Sequence, residues 1–157
     1  MSYSIENFIS KTAAGLYCAA GDFYIDPKRK VHKALISHAH SDHAVPNSGN
    51  IYTTTGTRKL MLSRFKNTLH SRFHEVKYRH PFHLNDVKIT FYPAGHILGS
   101  AQILMEYETR RFLYTGDFKI QEDNSCEGFE FVSADVLITE TTFAHPDYSH
   151  PESSAEI

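Results

Sequence analysis

Apolar residues in this chain fall into short runs, most with the two-residue alternation of strands rather than the wider spacing of helices. In residues 87–92, Val, Ile and Phe alternate with Lys, Thr and Tyr, which predicts a half-buried strand. Residues 16–20 and 23–26 predict a hairpin around Gly21-Asp22. Strands are predicted at 33–37, 51–54 and 73–78, and a strand pair at 101–107 and 112–115 around Glu108-Thr109-Arg110. Residues 136–139 predict a short, apolar, buried strand. Residues 57–65 have helical spacing through Leu60, Met61, Leu62 and Phe65, with Thr55 or Thr57 placed to cap the helix. Residues 150–157 read as a helix start, with Pro151 in its first turn and nothing to close it, so the chain reads as cut within a helix.

Composition narrows the class. With 157 residues, 41% of them hydrophobic and 13% aromatic, the chain can build one domain with a real core and is not disordered. The formal net charge of −2 excludes a global basic field, so any nucleic-acid contact must be local. Cys18 and Cys126 lack the spacing of a disulfide framework or a thiolate zinc site. No signal peptide opens the chain and no apolar run is long enough to cross a bilayer. The expectation is a cytoplasmic protein with no membrane partner.

The chemistry gathers in His38-Ala39-His40-Ser41-Asp42-His43, directly after a predicted strand. Imidazole nitrogen and carboxylate oxygen are ordinary ligands of zinc and similar divalent metals. At a strand end His38 and His40 share a pleat face and can grip one ion together. Asp42 and His43 follow where the chain turns and can hold a second ion. Three later residues also follow strand-like runs: His96 in Ala94-Gly95-His96, Asp117 in Thr115-Gly116-Asp117-Phe118, and Glu140 in Leu137-Ile138-Thr139-Glu140. The glycines beside His96 and Asp117 allow sharp turns that bring side chains toward a shared site.

These motifs resemble those of the metallo-β-lactamase-fold hydrolases. His38-x-His40-x-Asp42-His43 is similar to their signature loop. Gly95-His96-x-x-Gly99-Ser100, Thr115-Gly116-Asp117-Phe118 and Glu140-Thr141-Thr142-Phe143 resemble the nuclease branch, which includes the β-CASP RNA-processing enzymes. Gly15-Leu16-Tyr17-Cys18 and Gly21-Asp22-Phe23-Tyr24-Ile25-Asp26-Pro27 resemble the ligase-associated DNA exonucleases, relatives of the messenger-RNA 3′-end processing factors.

The resemblance implies an α/β fold, the αββα sandwich, of which residues 1–157 would form the strand-rich N-terminal half. It implies two divalent metal ions, Zn²⁺ first and Mn²⁺ as the alternative. His38, His40 and His96 would hold one metal, Asp42 and His43 the other, and Asp117 would bridge them. Asp26 would support the histidine loop through hydrogen bonds, and Glu140 would orient a catalytic histidine farther along the family's chain. Asp42, Asp117 and Glu140 form the implied catalytic set. The implied reaction is phosphodiester hydrolysis of DNA, in which two metals about 3.5–4 Å apart acidify a bridging water. A β-CASP-like ribonuclease and an inactive metal-binding half-domain are the alternatives. Lys28-Arg29-Lys30 with Lys33, and Arg58-Lys59 with Arg64 and Lys66, could guide a strand, though a solvated charged face is their default reading. Further implied partners are a DNA ligase or helicase, and a second copy docked on an uncovered sheet face. His145 and His150 match no family motif and read as surface residues, as do His32, His70, His74, His80 and His83.

Overall fold

In a computed structural model of the chain, residues 8–66, 70–122 and 124–141 are described. The elements are β1 (Ile9–Thr12), β2 (Gly15–Cys18), β3 (Phe23–Ile25), β4 (Lys33–Leu35), β5 (Asn50–Thr54), α1 (Thr55–Phe65), β6 (Arg72–Val76), β7 (Phe82–Leu84), β8 (Val87–Pro93), β9 (Ala101–Tyr107), β10 (Arg110–Tyr114) and β11 (Val136–Ile138). The predicted C-terminal helix start, His145, His150, Thr142 and Phe143 lie outside the described residues. No helix among the described residues is long and apolar enough to cross a membrane.

Two mixed sheets form. The first has the order β1-β2-β3-β4-β5-β6, antiparallel from β1 to β3 and parallel from β3 to β6. The second has the order β11-β10-β9-β8-β7, antiparallel except for the parallel β10–β11 pair. One core cluster joins them: Phe23, Ile25 and Leu35 of the first sheet meet Ile89, Phe91, Ile103, Met105 and Phe112 of the second. Alternation puts Ala34, Ile36 and Ile51 on the opposite face of the first sheet, where they pack with Met61 of α1. The layers therefore run helix, sheet, sheet, the strand-rich half of the expected sandwich.

The structure corrects several local expectations. Thr54 caps α1, rather than Thr55 or Thr57: its side chain accepts a hydrogen bond from the Thr57 N–H. Strands β1 and β7 were not predicted. β11 is not buried, because it forms a sheet edge and leaves Leu137 60% exposed. His74 is half-buried, stacked on Tyr52 with ring centroids 4.4 Å apart and bonded to Asn50. His32, His70, His80 and His83 are exposed. The outer face of the second sheet is not bare either. Leu104 and Leu113 there are buried, and the segment holding Glu130 is tied to Pro93 and Gln102 by hydrogen bonds. Among the described residues the large exposed apolar side chains are Leu98, Ile120, Phe131 and Leu137.

Candidate metal centre

The chemistry-bearing residues all follow the last residue of a strand. Asp26 follows β3, His38 to His43 follow β4, His96 follows β8, Asp117 follows β10 and Glu140 follows β11. Parallel pairing brings Asp26 and the histidine loop to one end of the first sheet, and Asp117 and Glu140 to one end of the second. The sheets are joined at that end, where the Ala101 N–H donates to the Ser37 carbonyl at 2.9 Å. Gly116, with φ of +57°, permits the close approach: a Cβ there would lie 2.9 Å from the Ser37 side chain.

His38 Nε2 and His96 Nε2 each lie 3.1 Å from His40 Nδ1. Asp117 Oδ2 lies 3.6 Å from His38 Nε2 and 3.8 Å from His96 Nε2. One ligand atom from each of these four residues falls within 4.8 Å of all the others. The three imidazole planes stand at 83–90° to one another in pairs, so the rings converge edge-on rather than stacking. The other carboxylate oxygen of Asp117, Oδ1, faces His43 Nε2 at 3.3 Å. Asp42 Oδ2 is 3.5 Å from the same nitrogen, on a side chain that is 69% exposed.

Asp26, His38 and His43 also come close enough to suggest a ligand group. Their hydrogen bonds assign Asp26 a different task. Asp26 Oδ1 accepts from the Ser37 N–H at 2.8 Å. Asp26 Oδ2 accepts from the Ser37 hydroxyl and the Tyr114 hydroxyl, and it faces His43 Nδ1 at 2.8 Å. Because the Ser37 proton goes to Asp26, Ser37 Oγ accepts from His38 Nδ1–H, at 3.0 Å. A carboxylate can only accept, so His43 Nδ1 carries its proton toward Asp26. Both histidines are left with the Nε2 lone pair aimed into the cluster, the tautomer a metal requires.

Electrostatics favour the neutral imidazole at His38 and His96 and the protonated one at His43. Burial, followed by the neighbouring His43, His40 and His96, holds the His38 pKa down at about 2, so its imidazole stays neutral. Burial also lowers His96, against the pull of Asp117. For His43, burial pushes downward but is outweighed by the Asp26 hydrogen bond and by the charges of Asp26, Asp117 and Asp42, and the net shift is upward. Burial raises Asp117, with nearby Glu140 adding to the effect and His43 opposing it. A carboxylate raised by burial among unprotonated nitrogen donors is a setting that a cation relieves.

Glu140 Oε1 accepts from the Phe118 N–H at 3.1 Å, which places it behind the Asp117 loop. Ser37 and Tyr114 were not given a role from sequence, and Ser100 and Thr57 were named there only as a motif residue and a helix-cap candidate. Ser37 precedes His38 and Tyr114 ends the strand before Asp117, positions from which their roles could have been sought. The His96 loop is held from both sides. Ser100 Oγ accepts from the His96 N–H at 3.0 Å, while Thr54 Oγ1 and Thr57 Oγ1 donate to the Gly99 carbonyl at 2.6 and 2.9 Å.

Comparison with known proteins places this geometry in context. Residues 22–156 match the Beta-lactamase superfamily domain. The chain is 36% identical over 147 residues to a probable DNA ligase of Opitutus terrae, covering 90% of this chain and 14% of that protein. It is 33% identical over 139 residues to an RNase J-like protein of Methanocaldococcus jannaschii, covering 75% of this chain and 33% of that one. It is 42% identical over 74 residues to cleavage and polyadenylation specificity factor subunit 3 of Dictyostelium discoideum, covering 46% of this chain and 10% of that one. The chain spans a third or less of the length of these curated relatives.

Proposed function

Because this chain belongs to the Beta-lactamase superfamily, we propose that it is a divalent-metal-dependent phosphodiester hydrolase acting on nucleic acid, of the DNA exonuclease type. The observation that carries this reading is the division of one carboxylate between two donor groups: Asp117 Oδ2 toward His38 and His96, and Asp117 Oδ1 toward His43.

His38, His40, His96 and Asp117 would hold one cation, and Asp42, His43 and Asp117 the other. The donors fit Zn²⁺ or Mn²⁺, being imidazole and carboxylate with no thiolate. When bound, the cations supply Lewis acidity that makes water a nucleophile near neutral pH and offsets charge on phosphate oxygens. The chain's own residues prepare that site. Asp26 and Ser37 keep the lone pairs of His38 and His43 pointed inward. Glu140 braces the turn that presents Asp117. Burial keeps His38 unprotonated, so acid does not readily remove it from the donor set.

The DNA reading draws on the relative that covers 90% of this chain, a probable DNA ligase. An RNA substrate is the second reading, favoured by the RNase J-like relative and by the cleavage and polyadenylation factor. Association with a DNA ligase would follow from the first reading. Incubation of end-labelled single-stranded DNA and RNA with the protein, in Zn²⁺ or Mn²⁺ and then in EDTA, tests both. The expected result is metal-dependent release of nucleotides, faster from DNA. Cleavage that persists in EDTA, or none after metal reconstitution, would overturn the proposal.

A further inference from the structure

Two neighbouring cavities flank His43, one at the candidate centre and one lined by two lysines. A cavity of about 440 Å³ is lined by Asp117 and Glu140. A second cavity, of about 230 Å³, is lined by Lys11, Lys28 and Asp42. The two share Leu16, His43 and Tyr114 as lining residues, so they flank His43 as neighbours.

Local structure fixes the backbone segments that carry the two lysines. Thr12 Oγ1 donates to the Gly15 carbonyl at 2.9 Å and accepts from the Ala14 N–H at 3.1 Å, closing the turn after β1. The Lys28 N–H donates to the Ala14 carbonyl at 2.8 Å. Gly15, with φ of +122°, lets that turn lie against the backbone after β3: a Cβ there would sit 3.3 Å from Pro27 Cα. Lys11 of β1 and Lys28 beyond β3 therefore reach the same cavity from separate segments.

Among the described residues neither ammonium is ion-paired, whereas Lys33, Arg58, Arg79 and Lys88 each meet a carboxylate at 2.6–3.1 Å. The acidic groups lining the same cavity are engaged elsewhere. Asp26 is bonded to Ser37, Tyr114 and His43, and Asp42 lies against His43. Lys11 and Lys28, both exposed, add positive charge beside a site suited to cations. An extended polyanion lying along the two cavities meets both charges at once.

We propose that Lys11 and Lys28 form a phosphate subsite that grips the backbone of a nucleic-acid strand next to the phosphate held at the metal centre. The identity of the polyanion rests on the nuclease reading; the two cavities and their lysines do not. Lysine serves here as a point charge on a flexible stem, which holds phosphate without reading sequence.

The test is anisotropy of a labelled single-stranded oligonucleotide with phosphorothioate linkages, titrated with metal-loaded protein at several salt concentrations. Wild type is compared with the double variant Lys11→Ala/Lys28→Ala and with Lys88→Ala on the second sheet. The double variant is expected to bind at least tenfold more weakly, with a salt slope shallower by about 0.7 for each phosphate that is no longer neutralised. Lys88→Ala is expected to bind as wild type does. The subsite is overturned if the double variant binds like wild type, if wild type fails to bind, or if Lys88→Ala weakens binding equally. Parallel cleavage of the same strand with ordinary linkages separates the two claims. Binding that depends on Lys11 and Lys28 without cleavage refutes the nuclease reading alone, whereas cleavage with unaltered binding in the double variant refutes the subsite alone.

Discussion

Asp26 Oδ2 lies 2.8 Å from His43 Nδ1, although His43 and Asp26 sit on loops after different strands. Asp26 holds this position with φ of 41°, in the left-handed region that few side chains adopt but that aspartate tolerates. The same carboxylate binds Ser37 and Tyr114, so one buried group orients donors from both sheets. Asp26→Ala is expected to lower metal affinity about 10–100-fold, the usual effect of removing a group that orients a ligand histidine. Competition against a chelating dye measures it. Unchanged affinity would mean that His43 does not need this support.

Gly56 and Gly99 meet backbone to backbone: a Cβ on Gly56 would lie 2.8 Å from Gly99 Cα. This close approach lets Thr54 and Thr57 reach the Gly99 carbonyl behind the His96 loop. Gly56→Ala is expected to displace that loop and weaken metal binding. Thr57→Val, which removes one buried hydrogen bond, is expected to cost about 1–3 kcal/mol of stability. Chemical denaturation paired with metal titration reads both effects. Wild-type values in both variants would show that the clamp does not matter.

His38 gives the metal-free protein a pH dependence. Its pKa is held down at about 2 against an ordinary 6.5, first by burial. The unfolded chain takes up a proton near the ordinary value that the folded chain refuses, so stability is complete above that pH and falls below it. His96, also lowered by burial, acts in the same direction. His43, raised overall, acts oppositely, and its contribution is lost as pH rises through its folded value. In EDTA, stability is therefore expected to decline on acidification below the ordinary histidine value, at up to about 1.4 kcal/mol per pH unit for each depressed group. His38→Gln should flatten the decline. Thermal melts that rise on acidification would contradict the balance.

Asp42 is the most exposed member of the set, so its removal should spare the fold. Asp42→Ala is expected to abolish nearly all phosphodiesterase activity while shifting stability by less than about 0.5 kcal/mol. His70→Ala, on an exposed residue, should change neither metal content nor rate. Full activity in Asp42→Ala would remove Asp42 from the site. A large loss in His70→Ala would mean that a ligand has been overlooked.

Much of this arrangement could be read from the sequence because its signals are local. Alternation located β8, the strand pair around Glu108-Thr109-Arg110 located β9, and the histidine spacing marked the loop after β4. Other features could not be read so directly. β7 has three residues and β1 buries little, too short a pattern to register. Val136-Leu137-Ile138 looks buried by composition, yet its place at a sheet edge exposes Leu137. The threonines at positions 53, 54, 55 and 57 hid which one caps α1, because each has the right side chain and only the backbone decides. The hydrogen bond from Tyr114 to Asp26 joins residues far apart in the chain, and no short-range pattern encodes it.

That these side chains hold two divalent ions is the central claim, and native mass spectrometry of the zinc-reconstituted protein tests it most directly. Wild type is expected to carry two ions per chain and Asp42→Ala one. A wild-type chain that takes up one ion or none would contradict the claim.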